Sequence, residues 1–162
     1  MPGFRLAPRY DADTLQAELA GYRALLDVLH REQDALRRAD ADALPALAAA
    51  KQREVQALAN LATARGEVLT AAGLAVTRVA AETVLVEGGA DPAAVAAAWG
   101  ELEALVAEAR RVNAQNGVLI DVQQSYFSRA LAALSGAVGH DGVYGADGRH
   151  RFGLGSRPLA AI

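Results

Sequence analysis

The chain contains no cysteine, which excludes disulfides and thiolate metal sites and suits a reducing compartment. Aromatic residues supply only 5% of a composition that is 52% hydrophobic, with a single tryptophan and a single methionine. Much of the apolar share is therefore alanine, which favours helix and lets helices approach closely but buries little area per residue. A thin helical bundle is expected, without a roomy pocket. There is no long hydrophobic run: the least polar stretch, Val68 to Thr77, spans about half of the ~20 residues a membrane helix requires. Nor is there a large excess of either charge, and a formal net charge of −3 argues against general affinity for nucleic acid or anionic membranes. The opening segment MPGFRLAPRY has no apolar core of the secretory kind. At 162 residues one domain is expected, located in the cytoplasm.

What is present is helical periodicity. Leu15, Leu19, Tyr22, Leu26, Leu29, Gln33 and Leu36 recur at alternating spacings of four and three, which predicts a first helix over about 12–39 with Asp11 or Asp13 at its start. A short polar joint follows, where Asp42 is a candidate N-cap with Pro45 in the first turn. The second helix, about 42–65, carries Leu44, Leu47, Val55, Leu58 and Leu61, with Leu69 a further candidate before a break at Gly73, but Lys51 and Glu54 fall where a strict seam prefers apolar groups. So short a joint makes the two helices antiparallel neighbours. Between Gly66 and Gly89 the pattern blurs. Gly73 is a breaker, Thr77 can cap a short helix over about 77–86, and Gly88-Gly89 ends it.

Asp91-Pro92 is a sharp helix start, an aspartate cap followed by proline at the first helical position. From there heptad spacing runs through Trp99, Leu102, Val106, Ala109, Asn113, Asn116, Ile120, Gln123, Phe127, Ala130 and Leu134, flanked by Leu105, Val112, Leu119 and Tyr126. This long last helix, about 91–138, would be roughly 70 Å long. The first two helices reach about half that length, so part of its apolar stripe should lack an intramolecular partner. From Gly139 onward six glycines fall in twenty-four residues with no helical period, which reads as a flexible tail. The predicted fold is an all-α antiparallel bundle or coiled coil of three main helices, with a helical domain at 1–138 and a tail at 139–162.

Signals of chemistry are sparse. His140 and His150 with Asp141 and Asp147 have metal-binding donor types, but a Gly-rich segment does not preorganise ligands. No GxGxxG, P-loop, HExxH or GxSxG string occurs. No enzyme, metal or cofactor is expected. The basic cluster Arg149-His150-Arg151, even with Tyr144 and Phe152 nearby, is too thin for nucleic-acid binding on an acidic chain. Asn113, Asn116 and Gly117 in the middle of the last helix are more unusual. Seam asparagines can fix register within a bundle, or they can orient a partner segment laid along the helix. The spacing leaves both open.

Taken together, Asn113-x-x-Asn116-Gly117-x-Leu119-Ile120 and the later string Val143-Tyr144-Gly145-Ala146-Asp147-Gly148 resemble the FlgN family, chaperones of flagellar type III export. The resemblance covers essentially the whole chain. It implies a cytoplasmic protein that binds the C-terminal helical regions of the unassembled hook-associated proteins FlgK and FlgL and delivers them to the cytoplasmic domain of the export gate protein FlhA. It implies client contact through Asn113, Asn116, Leu119, Ile120, Gln123, Phe127 and Leu134, and gate docking through Tyr144 with Gly145 and Gly148. The long apolar segment 66–89 and the basic residues 149–151 have no counterpart in this reading. The alternative is a structural or regulatory coiled-coil protein whose last helix is occupied by self-association. A homodimer in the client-free state is compatible with either.

Overall fold

The computed structural model describes residues 9–138. Within them the chain is all-helical: α1 (Ala12–Arg37), α2 (Leu44–Ala71), α3 (Arg78–Glu87) and α4 (Pro92–Val138), with no strand among the described residues. The expectation of three main helices thus becomes three long helices and one short one. The chain divides into two compact units, Met1–Ile120 and Asp121–Ile162.

In the first unit the starts of α1, α3 and α4 are written in their capping residues. Asp11 accepts the Thr14 amide at 3.0 Å while its own amide donates to the Thr14 hydroxyl, a reciprocal capping box. Hydrogen bonds from Thr14 hold the Asp11 carboxyl below the usual carboxylate range. Thr77 caps α3 by accepting the Ala80 amide, and Asp91 caps α4 by accepting the Ala94 amide at 2.8 Å. The start of α2 departs from expectation. Asp42 is not its cap; Ala43 is, without a side-chain bond, and Asp40 instead accepts the Ala43 amide at 3.2 Å. A turn closed by Asp40 takes up the residues in which Asp42 would have had to act.

The three helix ends inside this unit share one solution. After α1, Ala39 donates to the Leu36 carbonyl and Asp40 to the Ala35 carbonyl. After α2, Gly73 donates to Thr70 and Leu74 to Leu69; after α3, Gly89 donates to Val86 and Ala90 to Leu85. These are Schellman closures, which place the first residue beyond the cap in the left-handed region. Gly73 (φ 73°) and Gly89 (φ 96°) adopt it without a side-chain penalty, whereas Ala39 (φ 54°) does so despite its Cβ. α2 also runs beyond the predicted stop at residue 65. Leu69 is fully buried and Val68 packs beside it, so apolar burial carries the helix through Gly66 to the Gly73 closure.

The core forms two clusters. One gathers Tyr10, Leu15 and Leu19 with Leu69, Ala81 and Leu85, and with Val95, Trp99 and Leu102 of α4. The short α3 is therefore a full participant in the core. The other joins Leu25, Leu26 and Leu29 to Leu58, Ala109 and Val112, and Tyr22 and Leu105 pack against both. Leu47, Leu58 and Leu69, the buried residues of α2, recur every eleven residues, a period close to the natural turn of a straight helix. Gly21 lets α2 come close, since a Cβ there would meet Leu58 Cδ2 at 2.8 Å. On α4 the buried stripe passes through Val112 rather than Asn113. The two positions compete for one place at the interface, and burying valine avoids desolvating an amide.

The second unit, within the described residues, is the C-terminal stretch of α4 from Asp121 to Val138. The tail predicted at 139–162 lies outside the described residues.

Candidate functional site

Three features of the molecule bear on what it can do: a polar lock inside the helical unit, a groove on its surface, and an exposed apolar helix face.

The lock is made by side chains that the sequence pattern alone treats as misplaced. Glu32 of α1 is buried, and it accepts Lys51 Nζ at 2.7 Å and Asn116 Nδ2 at 2.9 Å, one on each carboxylate oxygen. The Asn116 amide also donates to the Leu29 carbonyl at 2.9 Å. One carboxylate thus ties α2, α1 and α4 together at a single level, supported by Gln33 donating to Gln115 at 3.2 Å. A second buried carboxylate, Glu18, is paired with Arg65. Glu18 and Glu32 lie fourteen residues apart on α1, and Arg65 and Lys51 fourteen apart in the opposite sense on α2. Both bridges therefore demand the same antiparallel register. Arg65 also faces the Trp99 ring at 5.3 Å and the Tyr10 ring at 6.0 Å. Burial, then the nearby Glu18 carboxylate, pushes the Tyr10 hydroxyl up to about 12 against the weaker opposing pull of Arg65.

The groove lies among α1, α2 and α4. It has a volume of about 470 Å³ and is lined by Tyr22, Leu25 and Leu29, by Lys51, Gln52 and Val55, and by Val106, Ala109, Arg110 and Asn113. Its floor is aliphatic and aromatic, its rim carries two cations, and no carboxylate lines it.

The exposed face belongs to the second unit. Val122 (61% exposed), Tyr126 (71%), Phe127 (60%), Leu131 (64%) and Leu134 (64%) follow one another at steps of four, one, four and three, so they cover one broad side of the helix. The Tyr126 and Phe127 rings meet edge to face at 6.1 Å. Asp121, Gln124, Ser125, Ser128 and Arg129 line a shared cavity on the same stretch, leaving it amphipathic.

The residues singled out from the sequence do not share one environment. Asn116 is 1% exposed, and its amide is engaged inside the bundle. That environment fits the register-fixing alternative: a buried amide must be hydrogen-bonded, and Leu29 and Glu32 provide the acceptors. Asn113 is exposed at the groove, while Leu119 and Ile120 are half-buried. In the second unit Gln123 is half-buried and Phe127 and Leu134 are exposed. Val118, Val122 and Leu131 are exposed as well and were missed by reading only heptad positions; the four-residue steps from Val118 through Val122 to Tyr126 were the available signal. Tyr144, Gly145 and Gly148, with the tail histidines and aspartates, lie outside the described residues. Among the described residues no group of histidine, aspartate and glutamate could hold a metal ion, and no helix is long and apolar enough to cross a membrane.

The geometry defines a helical binding scaffold, with a locked bundle and an amphipathic helix whose apolar side is open. The family model described as FlgN protein matches residues 12–151. The chain belongs to the FlgN family, a family of flagellar chaperones. No curated protein matches it, and neither does any solved structure.

Proposed function

We propose that this protein is a cytoplasmic chaperone of flagellar type III export that binds the C-terminal helical segments of unassembled FlgK and FlgL, prevents their premature assembly and delivers them to FlhA at the export gate. The observation that carries this reading is the exposed apolar side of residues 122–134 on a member of the FlgN family. A monomer rarely leaves so much apolar surface open without a partner. Segments that fold only on assembly are apolar and unpaired beforehand, and an amphipathic helix offers such a segment a matching face. Phe127 and Leu134 are the proposed anchors, with Gln123, Leu119, Ile120, Asn113 and Asn116 as further client contacts, Asn116 also holding α4 in register while no client is bound. No catalytic step is involved.

Gate docking is assigned to Tyr144 with Gly145 and Gly148, which lie outside the described residues. A tyrosine presents a large contact area and a hydroxyl at small entropic cost, which suits an anchor residue. Delivery requires release, so a 1:1 client complex of about nanomolar to micromolar affinity is expected.

Calorimetric titration with the C-terminal fragments of FlgK and FlgL tests this directly. Micromolar or tighter binding, weakened by Phe127→Ala and Leu134→Ala but not by Tyr144→Ala, is the expected result, with Tyr144→Ala instead weakening capture by the FlhA cytoplasmic domain. No binding to either fragment would overturn the reading.

A further inference from the structure

The stretch from Gly66 to Gly89, which neither client contact nor gate docking uses, carries an open apolar surface of its own. Leu74 (38% exposed), Val76 (60%), Val79 (71%) and Val86 (37%) are all exposed there. Val79, Thr83 and Val86 follow at steps of four and three, so they form one stripe on α3, opposite the Ala81 and Leu85 that enter the core. The Thr83 hydroxyl donates to the Val79 carbonyl at 2.8 Å, which leaves the stripe no polar demand to meet. Outward valines lower the helix propensity of so short an element, a loss that burial under a cover offsets.

Area, chain position and charge together select the cover. The four side chains offer roughly 300 Å² of apolar surface, and two such faces fall well short of the ~1,200 Å² of a stable interface. A second copy therefore does not suffice. A segment of the same chain needs far less area, because tethering gives it an effective concentration of about millimolar. The chain brings one to the right place. Tyr10 is buried in one cluster with Ala81 and Leu85, and Arg9 and Tyr10 share a cavity of about 320 Å³ with Leu85, Gly88 and Gly89 at the C-terminal end of α3. Residues 1–8 lie outside the described residues; they read MPGFRLAP, with one cation, Arg5, and no acid. Glu87, the carboxylate bordering the stripe, has no ion-pair partner among the described residues, whereas Glu82 is held by Arg78 at 2.7 Å.

We infer that the N-terminal segment straps the outer side of α3, with Leu6 resting on Val86 and Phe4 between Thr83 and Val79. Pro2 and Pro8 disfavour helix, and in an extended chain Phe4 and Leu6 share one side. From Arg9 to Leu6 an extended chain spans about 10 Å, the diameter of a helix, which takes it round the end of α3. Phe4 comes about 7 Å further on, within the roughly 10 Å that separate Val86 from Val79 along the helix axis. Arg5, between them, carries its charge on a stem long enough to reach Glu87 at the edge of the stripe. The short helix thereby becomes the clasp that fastens the start of the chain to the bundle. The strap lies wholly within the first unit and stands independently of the chaperone reading.

Two measurements on the full chain test the strap. Because the chain has no cysteine, Leu6→Cys and Val86→Cys can be combined in one protein and oxidised. A disulfide within the chain is expected to predominate equally at about 1 µM and about 10 µM, as a tethered contact requires. Chains left unlinked would overturn the inference, and so would a predominance of cross-linked dimers, since a second copy would then cover the face. Thermal unfolding asks whether the contact stabilises. Phe4→Ala should lower Tm by about 2–4 °C, and by less than about half as much when made in the Val79→Ala protein. Val79 is exposed, so circular dichroism should show the helix content of that background intact. A Phe4→Ala shift below about 1 °C, or equal shifts in the two backgrounds, overturns the strap even where the disulfide forms, because a segment that merely reaches the face would cross-link without coupling to it.

Discussion

Replacing Asn116 by alanine removes the one side chain that hydrogen-bonds across from α4 to the buried Glu32. Two bonds are lost, one to a carboxylate and one to the Leu29 carbonyl, both at 2.9 Å. A hydrogen bond to a charged group contributes about 1.5–3 kcal/mol and a neutral one about 0.5–1.5 kcal/mol. The desolvation of the amide, which alanine avoids, offsets part of that. Glu32 would keep Lys51, a partner more exposed to water than itself. The net expectation is a destabilisation of about 2–4 kcal/mol. Urea unfolding followed by circular dichroism at 222 nm measures it, with an unchanged m-value showing that the same structure unfolds. Adding Glu32→Gln alone and in combination gives a double-mutant cycle, in which a coupling of about 1–2 kcal/mol is expected. A single-variant change below about 0.5 kcal/mol, or a coupling of zero within error, would show that the three-helix lock does not hold the bundle, and the register argument built on it would fall.

Three further outcomes follow from the same geometry. Ala39→Gly should stabilise the protein by about 0.5–1 kcal/mol in thermal unfolding, because glycine occupies the left-handed Schellman position without the Cβ penalty alanine bears at φ 54°. Leu69→Ala, at a site with no exposed surface, should cost about 2–5 kcal/mol, and a loss under 1 kcal/mol would mean that α2 does not pack through its last turn. Tyr10 keeps its proton to about pH 12 when folded but releases it near 10 when unfolded. Its contribution is therefore fully present below pH 10 and lost as pH rises toward 12. The difference between wild type and Tyr10→Phe in ultraviolet titration should locate that late ionisation, and a midpoint near 10 would refute it.

How far the sequence discloses this molecule depends on whether a signal is local. Asp11, Thr77 and Asp91 act on amides three residues away, and Gly73 and Gly89 on carbonyls just behind them, so each can be read from a few adjacent letters. Asp42 misleads because Asp40 competes for the same turn. Lys51 looks misplaced until Glu32, nineteen residues earlier, is seen beside it; ion pairs across helices leave no periodic trace. The stretch of α2 after residue 65 shows a related limit: Gly73 marks its closure locally, but Leu69 is held by residues of α1, α3 and α4 that no local pattern names. On α4 the heptad pattern cannot choose between Val112 and Asn113, and only the facing helix decides. Phe127 and Leu134 were legible as apolar positions on a helix too long for its neighbours. Val122 and Leu131 were not, because heptad spacing describes a narrow seam whereas the exposed face is a broad side.

The two charged bridges of the α1–α2 hairpin also bear on how the protein avoids misfolding. Leucine-rich antiparallel helices can slide by a heptad and still match apolar to apolar, which creates long-lived wrong pairings. Here a slide of seven residues would set both Glu18 and Glu32 against neighbours other than Arg65 and Lys51, leaving two carboxylates without water or partner. A slide of fourteen would form one crossed pair, Glu32 with Arg65 or Glu18 with Lys51, and leave the other carboxylate unpaired. Each uncompensated carboxylate costs several kcal/mol, more than a mispaired hairpin gains from leucine contacts. The hairpin therefore has one deep minimum where its apolar pattern alone would offer several, and refolding should reach it without a slow phase of helix realignment.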